Sequence, residues 1–226
     1  MFRSKKVLLK GLIATVGVFG FVASTQAAAK TTPVARQTTP TTFYAVTKAA
    51  TKALPKGTRV QVNYTVTKNG KKYAAVDASR LSYKLQKQAG SRSQLDVIAS
   101  NLKKVATPAS DKLNVLYKGA AYTTATKAAN AHKIKVTTDG YVQYFANSVK
   151  KAPVSSTKIT ASRSKGNITY LYSKTNMAKL PDKRISKHGN YQYRLAIRNN
   201  NKQNKLSQSY SVGTLKNLFY VPTLKA

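Results

Sequence analysis

The chain has 226 residues, of which 42% are hydrophobic, so it is long enough and apolar enough to bury a core in one or two small domains. Its 40 Lys and Arg residues against five Asp and no Glu give a formal net charge of +35, which predicts affinity for polyanions. The absence of Cys excludes a disulfide framework, a thiolate metal site and a cysteine nucleophile.

Residues 1–29 have the pattern of a secretory signal peptide. A cationic start is followed by an apolar stretch over 7–23 that only Lys10 interrupts, and the small residues at 27–29 offer the cleavage site. An uncleaved membrane anchor is the alternative, but the glycines and the Ala-rich exit favour cleavage. We therefore expect a secreted protein that keeps no transmembrane anchor and does not meet nucleic acid in vivo.

Residues 30–42 are rich in Thr and Pro and predict an extended linker. A short strand at 43–46 follows. The clearest signal is a β-hairpin over 59–76, in which every second residue of the first strand is apolar. Its Asn-Gly pair favours a type I′ turn, which would place Val66 opposite Tyr73 on the buried face.

Beyond the hairpin, residues 80–85 predict a further short strand, and residues 93–105 predict one amphipathic helix. Leu95, Ile98, Leu102 and Val105 recur at helical spacing, so we expect this helix to pack on a sheet. The strand pattern returns near Leu113. It continues at 133–136 and, after an Asp-Gly turn, at 141–145.

The predicted fold is mainly β with one packed amphipathic helix, arranged as tandem small β-barrel-like or β-hairpin modules. The sequence TKAA occurs twice, and each copy is followed by a basic strand, a glycine turn and an aromatic strand, with a looser third version later in the chain. The first module is predicted at 43–151 and the second at 157–226. Residues 152–156 (APVSS) are predicted to be the linker between them.

Catalysis is not expected. An acid/base hydrolase needs two positioned carboxylates, and of the five aspartates only Asp77 lacks a simple local role in a turn or cap. His132 and His188 are isolated, which is not a metal-ligand pattern, and neither a nucleophile elbow nor a Gly-rich phosphate loop is present. We predict a protein that is not an enzyme and that has no cofactor.

Cations and tyrosines in the predicted strands and turns are the candidate binding residues. Lys or Arg beside Tyr suits phosphate contacts combined with sugar stacking, although tyrosine is also a common buried strand residue. The polyanion-binding candidates are Lys56, Arg59, Lys68, Lys71, Lys72, Lys133, Lys135, Lys187 and Arg194. The sugar-stacking candidates are Tyr83, Tyr144 and Tyr193.

The motif LPKGTRVQV followed by NGKKYAAVD resembles the carboxy-terminal wall-anchoring domain of lactobacillar surface-layer proteins and their S-layer-associated relatives. The resemblance is best over 43–85 and looser over 122–145 and 170–220. It implies small β modules that attach non-covalently to anionic wall polymers such as teichoic acids. The chain lacks the long lattice-forming region of such proteins, so it resembles an accessory surface protein rather than a lattice subunit.

The sequence thus predicts a secreted protein attached non-covalently to the cell wall or S-layer through Lys, Arg and Tyr. Its expected partners are anionic wall polymers, with S-layer protein or host glycans as further candidates. The first alternative is a secreted adhesin or effector that binds external glycans or polyanions. The second alternative is a wall-active enzyme.

Overall fold

The computed structural model of the chain describes residues 36–37, 42–119, 130–146, 151–203 and 207–222. The predicted signal peptide lies outside the described residues. No helix in the described part of the chain is long and apolar enough to cross a membrane. The described residues are mainly β, as predicted, and residues 34–226 belong to one compact unit.

The first sheet has six strands in the order β5-β4-β3-β2-β6, with β1 pairing beside β3. Its strands are β1 (Arg36–Gln37), β2 (Phe43–Thr47), β3 (Arg59–Lys68), β4 (Lys71–Asp77), β5 (Gln94–Ile98) and β6 (Leu102–Val105). The core of this sheet is small and aliphatic, formed by Val60, Val62, Val76, Leu81, Leu95 and Val97 with several alanines.

The second sheet has ten strands in the order β10-β9-β8-β7-β16-β15-β14-β12-β11, with β13 beside β14. Its first strands are β7 (Val115–Lys118), β8 (Lys133–Val136), β9 (Tyr141–Phe145), β10 (Ser155–Lys158) and β11 (Ala161–Lys165). The remaining strands are β12 (Ile168–Ser173), β13 (Lys183–Arg184), β14 (Tyr193–Gln203), β15 (Ser207–Val212) and β16 (Phe219–Pro222).

The second sheet curls into a half-barrel whose two ends are joined by one stretch of chain. β10 pairs with β9 and β11 pairs with β12, and only Ile159 and Thr160 separate β10 from β11. The Ile159 backbone N–H donates to Gly140 at one end of the sheet, and the Thr160 N–H donates to Tyr172 at the other.

The hairpin predicted at 59–76 is confirmed. β3 and β4 pair antiparallel with Val66 opposite Tyr73. The turn residues Asn69 and Gly70 have φ angles of 49° and 72°, as a type I′ turn requires.

One detail of the hairpin prediction is wrong: the pairing shifts between Val62 and Tyr64, so that Val66, although buried, and Tyr73 lie on the side of the sheet away from the core. Val62 opposes Val76 in the core, whereas the next pair joins Tyr64 to Ala75. An extra residue in one strand moves every later side chain to the other side of the sheet. Tyr73 is therefore half-buried on the face away from the core.

The amphipathic helix predicted at 93–105 is also wrong. This segment forms β5, a 3-10 helix at Ala99–Asn101, and β6. Leu95 and Val97 are buried while Ile98 is 48% exposed, which is the alternation of a strand. Buried residues alternate along β5. The 3-10 turn between the two strands shifts the apolar residues of β6 relative to those of β5, and the combined spacing looks helical.

The strand predicted at 80–85 is instead helical. A 3-10 helix covers Ala78–Arg80, and the α-helix α1 covers Tyr83–Gln88. Leu81 and Leu85, which are four residues apart, are both buried in the core of the first sheet. A third 3-10 helix, Ala109–Lys112, connects the two sheets.

The predicted module boundaries differ from the sheets. The second sheet begins at Val115, within the predicted first module at 43–151, rather than at residue 157. Ser155 and Ser156 of the predicted linker at 152–156 belong to β10 and pair with β9. Strand pairing uses backbone groups, so a polar sequence without hydrophobic alternation can still form an end strand.

The predicted linker at 30–42 lies largely outside the described residues, but two of its residues form a strand. Arg36 pairs with Thr67 and Gln37 pairs with Val66, so β1 follows β3 towards the hairpin turn. This pairing corrects the prediction of a linker without structure at these two positions.

Polar contacts join the two sheets around residues 78–83. Arg80 donates from Nη1 to Asp111 Oδ1 at 2.7 Å, and Lys135 donates from Nζ to the Leu81 carbonyl oxygen at 2.7 Å. The backbone N–H of Ser82 donates to Asp139 Oδ1, also at 2.7 Å. The short helical segment between β4 and β5 is thereby bound to β8 and to the turn between β8 and β9.

Candidate polyanion-binding surface

Strands β11, β12, β13 and β14 carry cations and tyrosines on one side. Leu171, Leu195 and Ile197 alternate into the core of the second sheet, so their sequence neighbours lie on the opposite side. We name this outer side the cationic tyrosine face, and it consists of Arg163, Lys165, Tyr170, Tyr172, Lys183, Arg194 and Arg198.

The strand register brings these residues together from distant parts of the sequence. Tyr170 lies between Arg163 of β11 and Ala196 of β14, and Tyr172 lies opposite Arg194. Paired strands are about 4.8 Å apart, and residues on one side of a strand repeat at about 6.7 Å. The face is therefore a grid of side chains about 14 Å across its four strands.

Ring contacts hold part of this grid in place. The guanidinium carbon of Arg194 lies 5.1 Å from the centroid of the Tyr170 ring. Tyr172 packs edge-on against Tyr191 with 5.6 Å between centroids. A cation over an aromatic ring contributes about 0.5–1 kcal/mol at exposed sites, so Arg194 is restrained before any ligand binds.

The face has positive charge that no described side chain compensates. Its five cations make no hydrogen bond or ion pair with a described residue, and all except half-buried Arg194 are exposed. None of the five aspartates of the chain occurs on β11, β12, β13 or β14. A polyanion is the ligand class that this combination of charge and tyrosine rings suits.

The hairpin turn forms a second cationic patch, as predicted from the sequence. Lys68, Lys71 and Lys72 are all exposed there. Lys68 is partly neutralised, because its Nζ lies 3.0 Å from Asp96 Oδ2. Arg59 is exposed at the other end of β3, and Lys187 is exposed in the loop before β14.

Two predicted polyanion-binding residues are not surface cations. Lys133 is 2% exposed and lies over the Tyr117 ring, with 5.7 Å from Nζ to the centroid. Lys135 is 4% exposed and donates to the carbonyl oxygens of Ser79 and Leu81 at 2.7 Å. β8 is covered on both sides: Ile134 and Val136 face the core, and on the other side Lys133 lies over Tyr117 while Lys135 reaches the segment of the first sheet that contains Ser79 and Leu81.

Burial has electrostatic consequences at β8. It lowers the pKa of Lys135 to about 8, even though the nearby Asp139 carboxylate acts in the opposite direction. Burial lowers the pKa of Lys133 as well. Lys135 joins the two sheets, and both lysine side chains are too buried to contact an external polymer.

The three predicted stacking tyrosines lie in different places. Tyr144 is half-buried, and its hydroxyl oxygen is 2.6 Å from His132 Nδ1. Tyr193 is half-buried beneath Arg184, whose guanidinium carbon is 5.9 Å from the ring centroid. Tyr83 lines a cleft between the sheets together with the predicted cation Lys56.

Sequence reasoning identified only Arg194 among the seven residues of the cationic tyrosine face. A usable signal was present, because Arg163 and Lys165 precede a Gly-Asn pair and Tyr170 and Tyr172 follow it with the same period of two. That pattern predicts a hairpin with cations opposite tyrosines. No local sequence pattern predicts that β14 adds Arg194 and Arg198 to this face, because β14 pairs with β12 across a long loop.

Each of the five aspartates makes a structural contact. Asp77 caps the first 3-10 helix, and Asp182 accepts the Met177 backbone N–H at 2.8 Å. Asp96, Asp111 and Asp139 make the contacts given above. Within the described ranges, no group of three or more His or Asp side chains is arranged to hold a metal ion.

Comparison of the chain with protein-family models, with curated proteins and with solved structures gave no match.

Proposed function

We propose that this protein is secreted and attaches non-covalently to an anionic polymer of the cell envelope, of the teichoic-acid type. The observation that carries the proposal is the cationic tyrosine face, on which five uncompensated cations surround Tyr170 and Tyr172. The expected signal peptide and the resemblance to wall-anchoring domains support the location and the class of polymer.

Electrostatic binding explains why the cations are arranged on strands rather than on a flexible tail. Each phosphate that a Lys or Arg neutralises releases a counterion, which gives affinity without sequence or sugar specificity. Strand backbones fix the positions of the cations, and the Tyr170 ring restrains Arg194, so less side-chain entropy is lost there on binding. The tyrosines add apolar contact to the sugar or glycerol units between phosphates.

The adhesin or effector alternative uses the same chemistry with an external glycan. Cell fractionation separates the two, because a wall-bound protein stays with the cells until salt or a chaotrope removes it. An adhesin for sulfated host glycans should instead bind such glycans more tightly than wall material.

The direct test is sedimentation of the purified protein with cell walls before and after teichoic acid is extracted. We expect binding to intact walls and loss of most binding after extraction. The variant Arg163→Gln/Arg194→Gln/Arg198→Gln should lose most of the affinity. The matched control is Lys68→Gln/Lys71→Gln/Lys72→Gln, which removes the same charge from the hairpin turn and should lose less, because Lys68 is already paired.

Two results would contradict the proposal. Equal binding to intact and extracted walls would exclude an anionic wall polymer as the ligand. A larger loss in the hairpin variant than in the face variant would move the binding surface to the hairpin turn.

A further inference from the structure

A cleft of about 520 Å³ lies between the two sheets, on a different set of residues from the cationic tyrosine face. One wall is the loop before β3, which includes Lys56 and Thr58. The other wall is the segment 82–88, including α1, and the floor is formed by β9 and β10. Clefts of this size between structural units are the usual setting of small-molecule sites.

The cleft has three cations around it, Lys56, Lys84 and Lys158. Lys56 and Lys84 are exposed and make no hydrogen bond or ion pair with a described residue. Lys158 donates from Nζ to the Asp139 carbonyl oxygen at 2.6 Å, which leaves two of its three donor hydrogens for a ligand. These ammonium groups favour a ligand that carries a negative charge.

The Asp139 carboxylate also lines the cleft and opposes anion binding, but its charge is already offset. Its Oδ1 accepts the Ser82 backbone N–H, and the buried ammonium of Lys135 is close enough for the two charges to interact. Its Oδ2 makes no hydrogen bond with a described residue and can accept one from a hydroxyl group.

Two tyrosine rings, those of Tyr83 and Tyr141, complete the lining. Lys158 lies over the Tyr141 ring, with 4.5 Å from Nζ to the centroid, which brings a cation and an apolar ring surface together. The Gln143 amide is fixed in the floor, since it accepts the Tyr83 backbone N–H at 3.1 Å and donates to the Ser156 hydroxyl oxygen at 3.0 Å. Its contacts hold the floor rigid beneath the rings.

From this lining we propose that the cleft binds one hexose unit carrying a phosphate group. The lysines would hold the phosphate, the tyrosine rings would contact the apolar side of the pyranose, and Asp139 and Ser156 would hydrogen-bond its hydroxyl groups. The inference is independent of the proposed function, because the cationic tyrosine face contributes no residue to the cleft.

Because the ligand would touch both sheets, its binding would stabilise their junction. A ligand that binds only the folded state raises the free energy of unfolding in proportion to the logarithm of its concentration. Thermal unfolding with added glucose 6-phosphate is therefore one readout. NMR shifts of backbone amides around 82–85 and 139–143 are a second readout that locates the site.

The decisive experiment titrates the full chain with glucose 6-phosphate, with glucose and with inorganic phosphate. We expect one site with a dissociation constant on the order of 1 mM for glucose 6-phosphate, and at least about tenfold weaker binding of the other two. Lys56→Gln/Lys84→Gln should weaken glucose 6-phosphate binding about tenfold. Lys71→Gln/Lys72→Gln, with the same charge change, and the triple variant of the cationic tyrosine face should leave it unchanged.

Phosphate binding as tightly as glucose 6-phosphate, or an unaffected Lys56→Gln/Lys84→Gln variant, would overturn the proposal. The same conclusion follows if amide shifts are absent from the cleft at ligand concentrations well above 1 mM.

Competition with soluble wall polymer identifies the source of the sugar phosphate that the cleft binds. Displacement of glucose 6-phosphate assigns the cleft to a sugar phosphate within the polymer, and no displacement assigns it to a free sugar phosphate.

Discussion

The ammonium of Lys135 lies 2.7 Å from the carbonyl oxygen of Leu81, where it joins the second sheet to the segment between β4 and β5 of the first sheet. A lysine in this position keeps its hydrogen bonds whether it is charged or neutral, but only the charged form is penalised by burial. The junction therefore contains a group whose protonation is linked to folding.

This linkage predicts a stability that rises with pH. Burial lowers the pKa of Lys135 from 10.5 to about 8, so between these values the unfolded chain holds more protons than the folded chain. The contribution of Lys135 to the free energy of unfolding should rise by about 2 kcal/mol between pH 7 and pH 9.5. Urea unfolding at a series of pH values measures it.

Lys135→Met should remove most of that rise, leaving the smaller contribution of Lys133, whereas the exposed control Lys72→Met should keep it. The series ends below pH 10 because burial raises the pKa of Tyr117 and Tyr210, which makes stability fall at higher pH. If the free energy of unfolding changed with pH in the same way in the wild-type chain and in Lys135→Met, the charge of Lys135 would not be buried in the folded protein.

The Arg80–Asp111 pair should contribute more to stability than the Lys68–Asp96 pair. The side chains of Arg80 and Asp111 are 12% and 33% exposed, whereas those of Lys68 and Asp96 are 49% and 38% exposed. Asp111→Ala leaves a largely buried guanidinium without its partner and should cost about 2–3 kcal/mol. Asp96→Ala should cost about 0.5 kcal/mol or less. Equal losses in chemical unfolding would contradict this ranking.

Gly213 and Gly166 offer a matched pair of glycine substitutions. Both have positive φ, 49° and 57°, so alanine is strained at either site by about 1–2 kcal/mol. A Cβ at Gly213 would also lie 2.6 Å from the Pro181 carbonyl oxygen, whereas a Cβ at Gly166 meets nothing within 4 Å. Gly213→Ala should therefore cost about 1–3 kcal/mol more than Gly166→Ala in thermal or urea unfolding.

The bulge in β3 changes the expected effect of truncating Tyr73. Tyr73 is half-buried away from the core, so Tyr73→Ala should cost about 1–2 kcal/mol. Leu81 is fully buried, and Leu81→Ala should cost about 3 kcal/mol. If Tyr73→Ala were the more damaging change in urea unfolding, the face assignment after the bulge would be wrong.

Salt dependence tests the number of phosphates that the cationic tyrosine face binds. With five phosphates neutralised, the logarithm of wall affinity should fall with the logarithm of salt concentration at a slope of about −3.5, by analogy with single-stranded nucleic acid. Replacing Arg163, Arg194 and Arg198 by Gln should flatten that slope to about −1.4. A slope near zero in the wild-type protein would indicate recognition of neutral sugar through the tyrosines.

The local geometry of this protein follows from its sequence where neighbouring residues decide the outcome. The Asn69–Gly70 turn and the Val66–Tyr73 register could be predicted, because positive φ and a period of two are properties of a short stretch. The mainly β fold and the excess of cations were equally accessible from composition and pattern.

Only the tertiary structure decided which lysines face a ligand. Lys133 and Lys135 have the same polar-apolar alternation as a surface strand, yet both are buried, Lys133 over Tyr117 and Lys135 against the segment 78–83 of the first sheet. The segment 93–105 has helical spacing but becomes two strands, because pairing with β4 and β2 satisfies its backbone hydrogen bonds. The cationic tyrosine face exists because β14 pairs with β12, and such long-range pairing places Arg194 beside Tyr170 without any trace in the local sequence.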